Sequence, residues 1–307
     1  MDPCCPPRSD IKPRPYTGWV RRRRLFVSFS VTTLSLVALV LANAGERPLR
    51  PTDSKQTTLT VAGRNWLPES TTAKPANPAV VDGSCPRPSD PDPLLGARTR
   101  MPGSWQGLVP VSKDLPIVVM AGHADSQAMD GAGTPGYAVD VLKQAPMDAR
   151  MRDELFWNFK VQDAVVRLGQ ARGLNITRYV PPFLTIRNHA DPATNWSQAK
   201  RRSARGEYVI EIHFDAYSPY GFGSGLIPAV NRQLNTVDES LAEAFGRFPR
   251  LFRGGLGGPR RGIGILEIGM LQGALEGGLR DPEQRDQTVE CLALRVVDAL
   301  VRGVGRS

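Results

Sequence analysis

The chain has 307 residues, which is enough for one sizeable hydrophobic core with extensions or for two small domains. Its formal charge of +9 suits an anionic partner such as nucleic acid, a membrane surface or an acidic polymer. The sequence has no zinc-finger, RNP or helix-turn-helix pattern and its arginines are scattered, so we expect no nucleic-acid binding.

Residues 1–44 have the pattern of a targeting segment. Four arginines at 21–24 precede an uncharged apolar run at 25–41, and Ala42 and Ala44 form a small-x-small cleavage pattern. The run is slightly shorter than the roughly 20 residues of a comfortable membrane span, so a cleaved signal peptide and an uncleaved anchor both fit it. The arginines also match a twin-arginine signal loosely. Positive charge stays on the cytoplasmic side, so we expect export to the periplasm or cell envelope, with anchoring in the inner membrane if the segment is uncleaved.

Residues 45–110 are rich in proline, serine and threonine and show no sustained period. Such a segment buries too little apolar surface to offset its ordering entropy, which predicts a flexible linker. Short apolar pieces such as Leu94, Leu95 and Trp105 are candidates for local docking. After export, Cys85 and Cys291 would share an oxidising compartment, where a disulfide between the linker and the last helix can form.

Residues 111–307 are predicted to form the catalytic domain. Apolar, β-branched runs predict strands and helical periodicity predicts helices, and the two alternate along the chain. This alternation predicts an α/β three-layer sandwich with a mainly parallel twisted sheet flanked by helices. The predicted strands are 115–121, 174–180, 207–217 and 263–270, and the predicted helices are 152–172, 192–205, 236–248 and 284–301.

Three of the predicted strands carry side chains suited to chemistry. His213 lies near the carboxyl end of a strand that reads as buried on both faces, and His123 follows the end of the first strand. Glu267 lies within the apolar strand 263–270. A lone histidine in such a position is more often a satisfied core residue, but ligands of open α/β sheets bind at the carboxyl ends of strands. Three apolar strands that each deliver such a group are hard to explain by packing.

Glu154 provides a fourth group of this kind. It lies one turn before the apolar stripe of the helix 152–172, and a carboxylate on a buried stripe needs a partner. The alternative is an exposed first-turn glutamate that interacts with the helix dipole. The third histidine, His189, has polar neighbours and is expected to be a solvated loop residue.

Two imidazoles and one carboxylate with an open fourth position are typical of a catalytic zinc site, and we expect His123, Glu154 and His213 to be the metal ligands. Zinc lowers the pKa of bound water to about 7 and polarises a carbonyl. Glu267 would then act as the general base, with burial raising its pKa. The alternative for Glu267 is an ion pair with Arg260 or Arg261.

The order of these elements resembles the zinc-dependent N-acetylmuramoyl-L-alanine amidases of bacterial cell-wall remodelling. The resemblance covers about residues 116–305: GH at a first strand end, a glutamate that opens a helix, IH near a later strand end, and a final LE-x-G strand. Asn158, four residues after Glu154, and the Gly-x-x-x-Thr-Arg strand at 173–178 also match. The resemblance implies a zinc exopeptidase/amidase-like fold, peptidoglycan as substrate, and cleavage between the lactyl group of muramic acid and L-alanine.

Several positions depart from the family pattern. The sequence reads GHADS where the family usually has GHGG, and Asp215 takes the place of an amide residue. After Glu267 the sequence is IGMLQG, where the family usually has Gly-Phe-Leu-Ser-Asn. Asp125, Asp130 and Asp140 are rival ligands by sequence proximity. A zinc exopeptidase, with an arginine clamp drawn from Arg178, Arg187, Arg260 or Arg261, and a non-catalytic wall-binding protein stay open as alternatives. The stem-peptide preference, the oligomeric state and an activator protein as partner are also left open.

Overall fold

The computed structural model describes residues 85–306. Five strands form one sheet in the order β2-β1-β3-β5-β4, in which all pairs are parallel except β4–β5. The strands are β1 (Ile117–Ala121), β2 (Ile176–Tyr179), β3 (Tyr208–Asp215), β4 (Gly225–Ile227) and β5 (Ile263–Met270). The helices are α1 (Gly136–Asp140), α2 (Asp153–Ala171), α3 (Asn195–Ala204), α4 (Thr236–Phe245), α5 (Gly273–Arg280) and α6 (Arg285–Gly303).

The two faces of the sheet are covered by different helices. Val119 and Ile210 belong to the larger buried cluster, which also contains side chains of α2, α4 and α6. Their strand neighbours Val118 and Val209 point to the other face and pack in a second cluster with Ala199 of α3. This arrangement confirms the predicted three-layer α/β sandwich with a mainly parallel sheet.

Two kinds of element were not predicted. Strand β4 is a three-residue edge strand that begins at Gly225, directly after a glycine-rich segment that reads as a turn. Helices α1 and α5 are short, and the glycines of α5 weaken its helical signal. Within residues 85–306, no helix is both long enough and apolar enough to cross a bilayer. The predicted targeting segment at 1–44 lies outside the described residues.

The described part of the predicted linker differs from a flexible spacer. Residues 85–110 form an arm on the domain, in which Leu95 is buried and Asp92 accepts a hydrogen bond from Arg295 at 2.5 Å. Cys85 is disulfide-bonded to Cys291 of α6, as the sequence allowed. The composition predicted a flexible linker because polar residues bury too little apolar surface to offset the entropy cost of ordering the segment. Here a few specific contacts and one covalent bond offset that cost.

The far end of the arm is also fixed. The indole N–H of Trp105 donates to the carbonyl of Phe248 at 2.6 Å, and the guanidinium of Arg247 lies 4.5 Å from the Trp105 ring centroid. A Cβ at Gly107 would overlap the backbone of residue 235, so this stretch runs close against the start of α4. The ordered domain therefore extends at least from residue 85, earlier than the predicted boundary at 111.

We expect Cys85→Ser to lower the free energy of unfolding by about 2–5 kcal/mol, because the variant loses a cross-link between residues 206 positions apart. Denaturant unfolding under oxidising conditions measures the loss. A reductant should destabilise the wild-type protein to a similar extent and leave the variant unchanged. An unfolding midpoint equal to that of the oxidised wild type would contradict the role of this disulfide.

A buried carboxylate ties α5 to α1. Glu276 is 4% exposed, and both of its oxygens lie within hydrogen-bonding distance of the Ala138 N–H, at 3.1 and 3.0 Å. Burial raises the pKa of Glu276 to about 7, although the Ala138 N–H and the charge of Arg280 favour the carboxylate and Asp153 opposes it. The folded protein therefore holds a proton on Glu276 over a pH range in which the unfolded chain has lost it.

Because the folded state binds this proton more tightly, the contribution of Glu276 to stability falls as pH rises from about 4.5 to about 7. Glu276→Gln removes the titration and keeps the acceptor for Ala138. The melting temperature of the variant, relative to wild type, should rise across this interval and level off above it. Thermal melts at a series of pH values provide the test, and a difference that does not change with pH would contradict it.

A candidate metal centre

The parallel pairing of β1, β3 and β5 brings three chemistry-bearing residues to one edge of the sheet. Ala121 at the end of β1 pairs with Ile212, and His213 pairs with Glu267 of β5. His123 follows β1 by two residues. The carboxyl ends of parallel strands meet at the same edge, which is where open α/β sheets bind ligands.

Glu154, the second residue of α2, joins the two histidines. Its Oε1 lies 3.1 Å from Nδ1 of His213 and 3.4 Å from Nε2 of His123. Glu154 is 3% exposed, so it is not the exposed first-turn glutamate of the alternative interpretation. The two imidazole rings meet edge to face, with centroids 4.8 Å apart. These three residues are the group within residues 85–306 that can hold a metal ion, with one ligand atom from each lying within 4.8 Å of the others.

Two glycines leave room for this group. A Cβ at Gly122 would overlap the ring of His213, and a Cβ at Gly133 would lie 2.6 Å from Oε2 of Glu154. Gly133 also has a φ of +92°, which disfavours other residues. The N–H of Thr134 donates to Oε2 of Glu154 at 2.6 Å and leaves Oε1 directed at the histidines. The glycine-rich segment at 130–136 thus orients the carboxylate.

The backbone at His123 is unusual. Its φ is +63°, a left-handed conformation that non-glycine residues rarely adopt. The two-residue bend after Ala121 turns the His123 ring towards Glu154. Conformations of this kind cluster at functional sites, where surrounding contacts hold them in place.

Electrostatic coupling within the group is strong. Burial by itself would raise the pKa of Glu154, but the neighbouring charges of His123 and His213 and their hydrogen bonds hold it well below its usual range. Burial would lower the pKa of His213, but hydrogen bonds to Glu154 and Glu211 raise it well above its usual range. The carboxylate form of Glu154 is therefore favoured, as a metal ligand requires.

Glu267 has a different environment. Burial raises its pKa to about 8, and the charges of His213 and Arg253 offset this only in part. Its Oε2 is buried and has no hydrogen-bond partner within residues 85–306. The ion pair with Arg260 or Arg261, which was the alternative for Glu267, does not form. Arg260 donates to the carbonyls of Gly254 and Gly255, and Arg261 donates to that of Gly257.

None of the three rival ligands belongs to the group within residues 85–306 that can hold a metal ion. Asp125 accepts the backbone N–H of Asn195 at 2.7 Å, and Asp140 accepts the hydroxyl of Tyr217. Asp130 is not part of the group either. His189 stacks on Trp196 with ring centroids 5.5 Å apart and also stands outside the group.

Asp215, which replaces the amide of the family pattern, fixes a loop. Its Oδ1 accepts the N–H of Ala216 at 2.8 Å, and its Oδ2 accepts the N–H groups of Phe222 and Gly223. A carboxylate can accept all three of these bonds, whereas an amide offers one oxygen. The substitution is explained by the conformation of residues 216–223.

Two residues near the site were not predicted from the sequence. Glu211 lies two residues before His213, and its Oε2 is 3.2 Å from Nε2 of that histidine. The period of two along a strand could have indicated this contact. Arg253 has a left-handed φ of +50°, and its guanidinium lies 5.0 Å from the ring centroids of both Phe222 and Phe252. No local sequence signal distinguishes it from the other arginines of its loop.

The residues present fit a catalytic metal. Two imidazole nitrogens and one carboxylate oxygen converge from three separate elements, a donor set typical of zinc sites that keep an open position. Within residues 85–306, Glu267 on the neighbouring strand β5 has one buried carboxyl oxygen, Oε2, without a hydrogen-bond partner. The arrangement is suited to metal-assisted hydrolysis with Glu267 outside the ligand set.

Comparisons with known proteins give structural matches only. No protein-family model matches the chain, and no curated protein matches it. The amidase Ami1 from Mycobacterium abscessus is 16% identical with a TM-score of 0.39, covering 61% of this chain and 99% of that one. The catalytic domain of CwlV, an amidase from Bacillus (Paenibacillus) polymyxa var. colistinus, is 15% identical with a TM-score of 0.39, covering 61% of this chain and 97% of that one.

The CwlD amidase from Clostridioides difficile, solved in complex with the GerS lipoprotein, is 15% identical with a TM-score of 0.39, covering 62% of this chain and 100% of that one. Ami1 and CwlV are N-acetylmuramoyl-L-alanine amidases, and CwlD is an amidase. Their similarity to this chain is a similarity of fold.

We expect Gly122→Ala to weaken metal binding at least about tenfold, because the new methyl group would displace the ring of His213. Titration of metal-free protein with Zn²⁺ by calorimetry gives the affinity. Gly277→Ala is the matched control, since a Cβ there meets no atom within 4 Å and alanine favours the helix. Equal zinc affinity in both variants would contradict the placement of the metal beside His213.

Proposed function

We propose that this protein is a zinc-dependent amidase that hydrolyses the bond between the lactyl group of N-acetylmuramic acid and the L-alanine of peptidoglycan stem peptides. The observation that carries the proposal is the convergence of His123, Glu154 and His213 beside Glu267, whose Oε2 is buried and has no hydrogen-bond partner in the described part of the chain. This geometry supports a metal-dependent hydrolase. The order of the sequence motifs supports the choice of the muramoyl-alanine amide.

In this proposal, His123, Glu154 and His213 hold the ion in a fixed geometry. Zinc, when bound, supplies a Lewis acid that polarises the scissile carbonyl and makes water more acidic. The N–H of Thr134 and the space left by Gly133 keep the Glu154 carboxylate oriented towards both imidazoles.

Glu267 acts as the proton carrier. Its carboxylate accepts a proton from the attacking water and delivers it to the nitrogen of the leaving L-alanine. A pKa raised by burial makes Glu267 a stronger base than an exposed glutamate, and among the described residues no hydrogen-bond partner competes for its Oε2. The positive charge of Arg253 acts on Glu267 and stabilises its carboxylate form.

The exopeptidase alternative is less well supported. Such an enzyme needs an arginine clamp for the terminal carboxylate of its substrate. Arg178 pairs with Asp163, and Arg260 and Arg261 donate to backbone carbonyls. These three arginines already have acceptors, which leaves Arg187 as the candidate clamp of the four.

The proposal also places the protein in the cell envelope, where its substrate lies. Export rests on the basic and apolar pattern of residues 1–44, which are outside the described structure.

The test is incubation of the zinc-loaded, full-length protein with purified peptidoglycan, followed by measurement of newly exposed L-alanine amino groups. We expect product from wild type, none after chelation, and a rate about 10²–10⁴-fold lower for Glu267→Gln, because the proton carrier is lost. Glu243→Gln, a change at an exposed glutamate of α4, is the matched control and should keep the wild-type rate.

Two outcomes would contradict the proposal. Shortened stem peptides with an intact lactyl–alanine bond would favour the exopeptidase. Binding of zinc-loaded wild type to peptidoglycan without release of any product would favour a wall-binding protein.

A further inference from the structure

One buried carboxylate beside the candidate metal centre has no role in the proposed reaction. Glu211 lies on β3 and is 4% exposed. It is not among the three residues that can hold the metal, and Glu267 is the proposed proton carrier. A buried carboxylate is costly unless it is paired and hydrogen-bonded, so its contacts indicate what it does.

The first contact is with His213. The two ring nitrogens of His213 face different carboxylates: Nδ1 lies 3.1 Å from Oε1 of Glu154, and Nε2 lies 3.2 Å from Oε2 of Glu211. Nδ1 therefore faces the point at which the candidate ligand atoms converge. Nε2 faces away from it, towards an acceptor that carries a negative charge.

The second contact fixes Glu211 itself. The side-chain amide of Asn195 donates to Oε1 of Glu211 at 2.8 Å and to the carbonyl of Ala121 at 2.8 Å. The backbone N–H of Asn195 donates to Oδ2 of Asp125 at 2.7 Å. Asn195 thus links the start of α3 to the end of β1, immediately before Gly122 and His123, and to the carboxylate behind His213.

We propose that Glu211 is a positioning residue for His213: it accepts the Nε2–H of the ring and so presents the lone pair of Nδ1 to the metal. This inference rests on the metal centre proposed above. A metal-binding histidine commonly donates its second N–H to a carboxylate, which fixes both the tautomer and the orientation of the ring. Gly122 limits the alternatives, because the ring already fills the space that a Cβ would occupy.

Glutamine cannot fully replace Glu211 in this role. The two oxygens of glutamate accept one hydrogen bond each, from Asn195 and from His213. A glutamine offers one oxygen, and its NH₂ group would face either the Nε2–H of His213 or the NH₂ group of Asn195. One donor therefore loses its acceptor.

The test uses metal-free full-length protein titrated with Zn²⁺, and separately with Co²⁺ so that the visible absorption reports ligand geometry. We expect Glu211→Gln to weaken Zn²⁺ binding by about 10–100-fold and to change the Co²⁺ spectrum, because the Nδ1 lone pair is no longer held in place. Glu207→Gln is the matched control. It removes a carboxylate four residues earlier in the chain, where the partners are Arg202 and Arg205, and it should leave both readouts unchanged.

A second measurement needs no variant. In zinc-loaded wild type, ¹H–¹⁵N spectra of the histidine rings should show His213 protonated at Nε2 and metal-bound at Nδ1. This readout keeps the inference testable even if Glu211→Gln does not fold, which circular dichroism of the metal-free variant would show.

The outcomes distinguish the role of Glu211 from the existence of the metal centre. Zinc binding by wild type together with unchanged affinity and spectrum in folded Glu211→Gln would overturn the role of Glu211 alone. A His213 ring protonated at Nδ1 in the loaded protein would do the same. No zinc binding by wild type would overturn the metal centre, and this inference with it.

Discussion

The contact of one carboxylate oxygen with two imidazoles is the interaction on which the site depends. Oε1 of Glu154 is 3.1 Å from His213 and 3.4 Å from His123, in a place where Glu154 is almost fully buried. An unpaired charge there would cost several kcal/mol. This cost keeps the start of α2, the bend after β1 and the end of β3 together. Gly122 and Gly133 leave the space that this close approach needs.

Four buried or half-buried acids surround this point, and their partners separate their roles. Glu154 faces two histidines, Glu211 faces a histidine and an amide, and Asp215 faces three backbone N–H groups. Glu267 has a buried oxygen with no hydrogen-bond partner in the described part of the chain, and its pKa is the one raised to about 8. The same residue type thus occurs here in four different environments, and the partners that the fold supplies set the role that each carboxyl group can take.

The arm at 85–110 adds a further constraint. Its disulfide to α6 and the buried pair between Asp92 and Arg295 hold a proline-rich segment that could not order itself. A buried ion pair contributes little net stability but disfavours other arrangements of the same segment. The arm therefore belongs to the folded domain, although its composition resembles that of a linker.

The α/β class, the principal strands and helices, and the candidate residues His123, Glu154, His213 and Glu267 could be predicted from the sequence, because apolar periodicity and rare chemical groups are local signals. The geometry of these four residues was decided by tertiary structure. Strand order β1-β3-β5 makes residues 123, 213 and 267 neighbours, and sequence spacing does not encode strand order. Tertiary structure also determines the edge strand β4, the ordered arm and the second hydrogen bond of His213. Each depends on contacts between residues far apart in the chain, whose free energy appears only when the sheet has assembled.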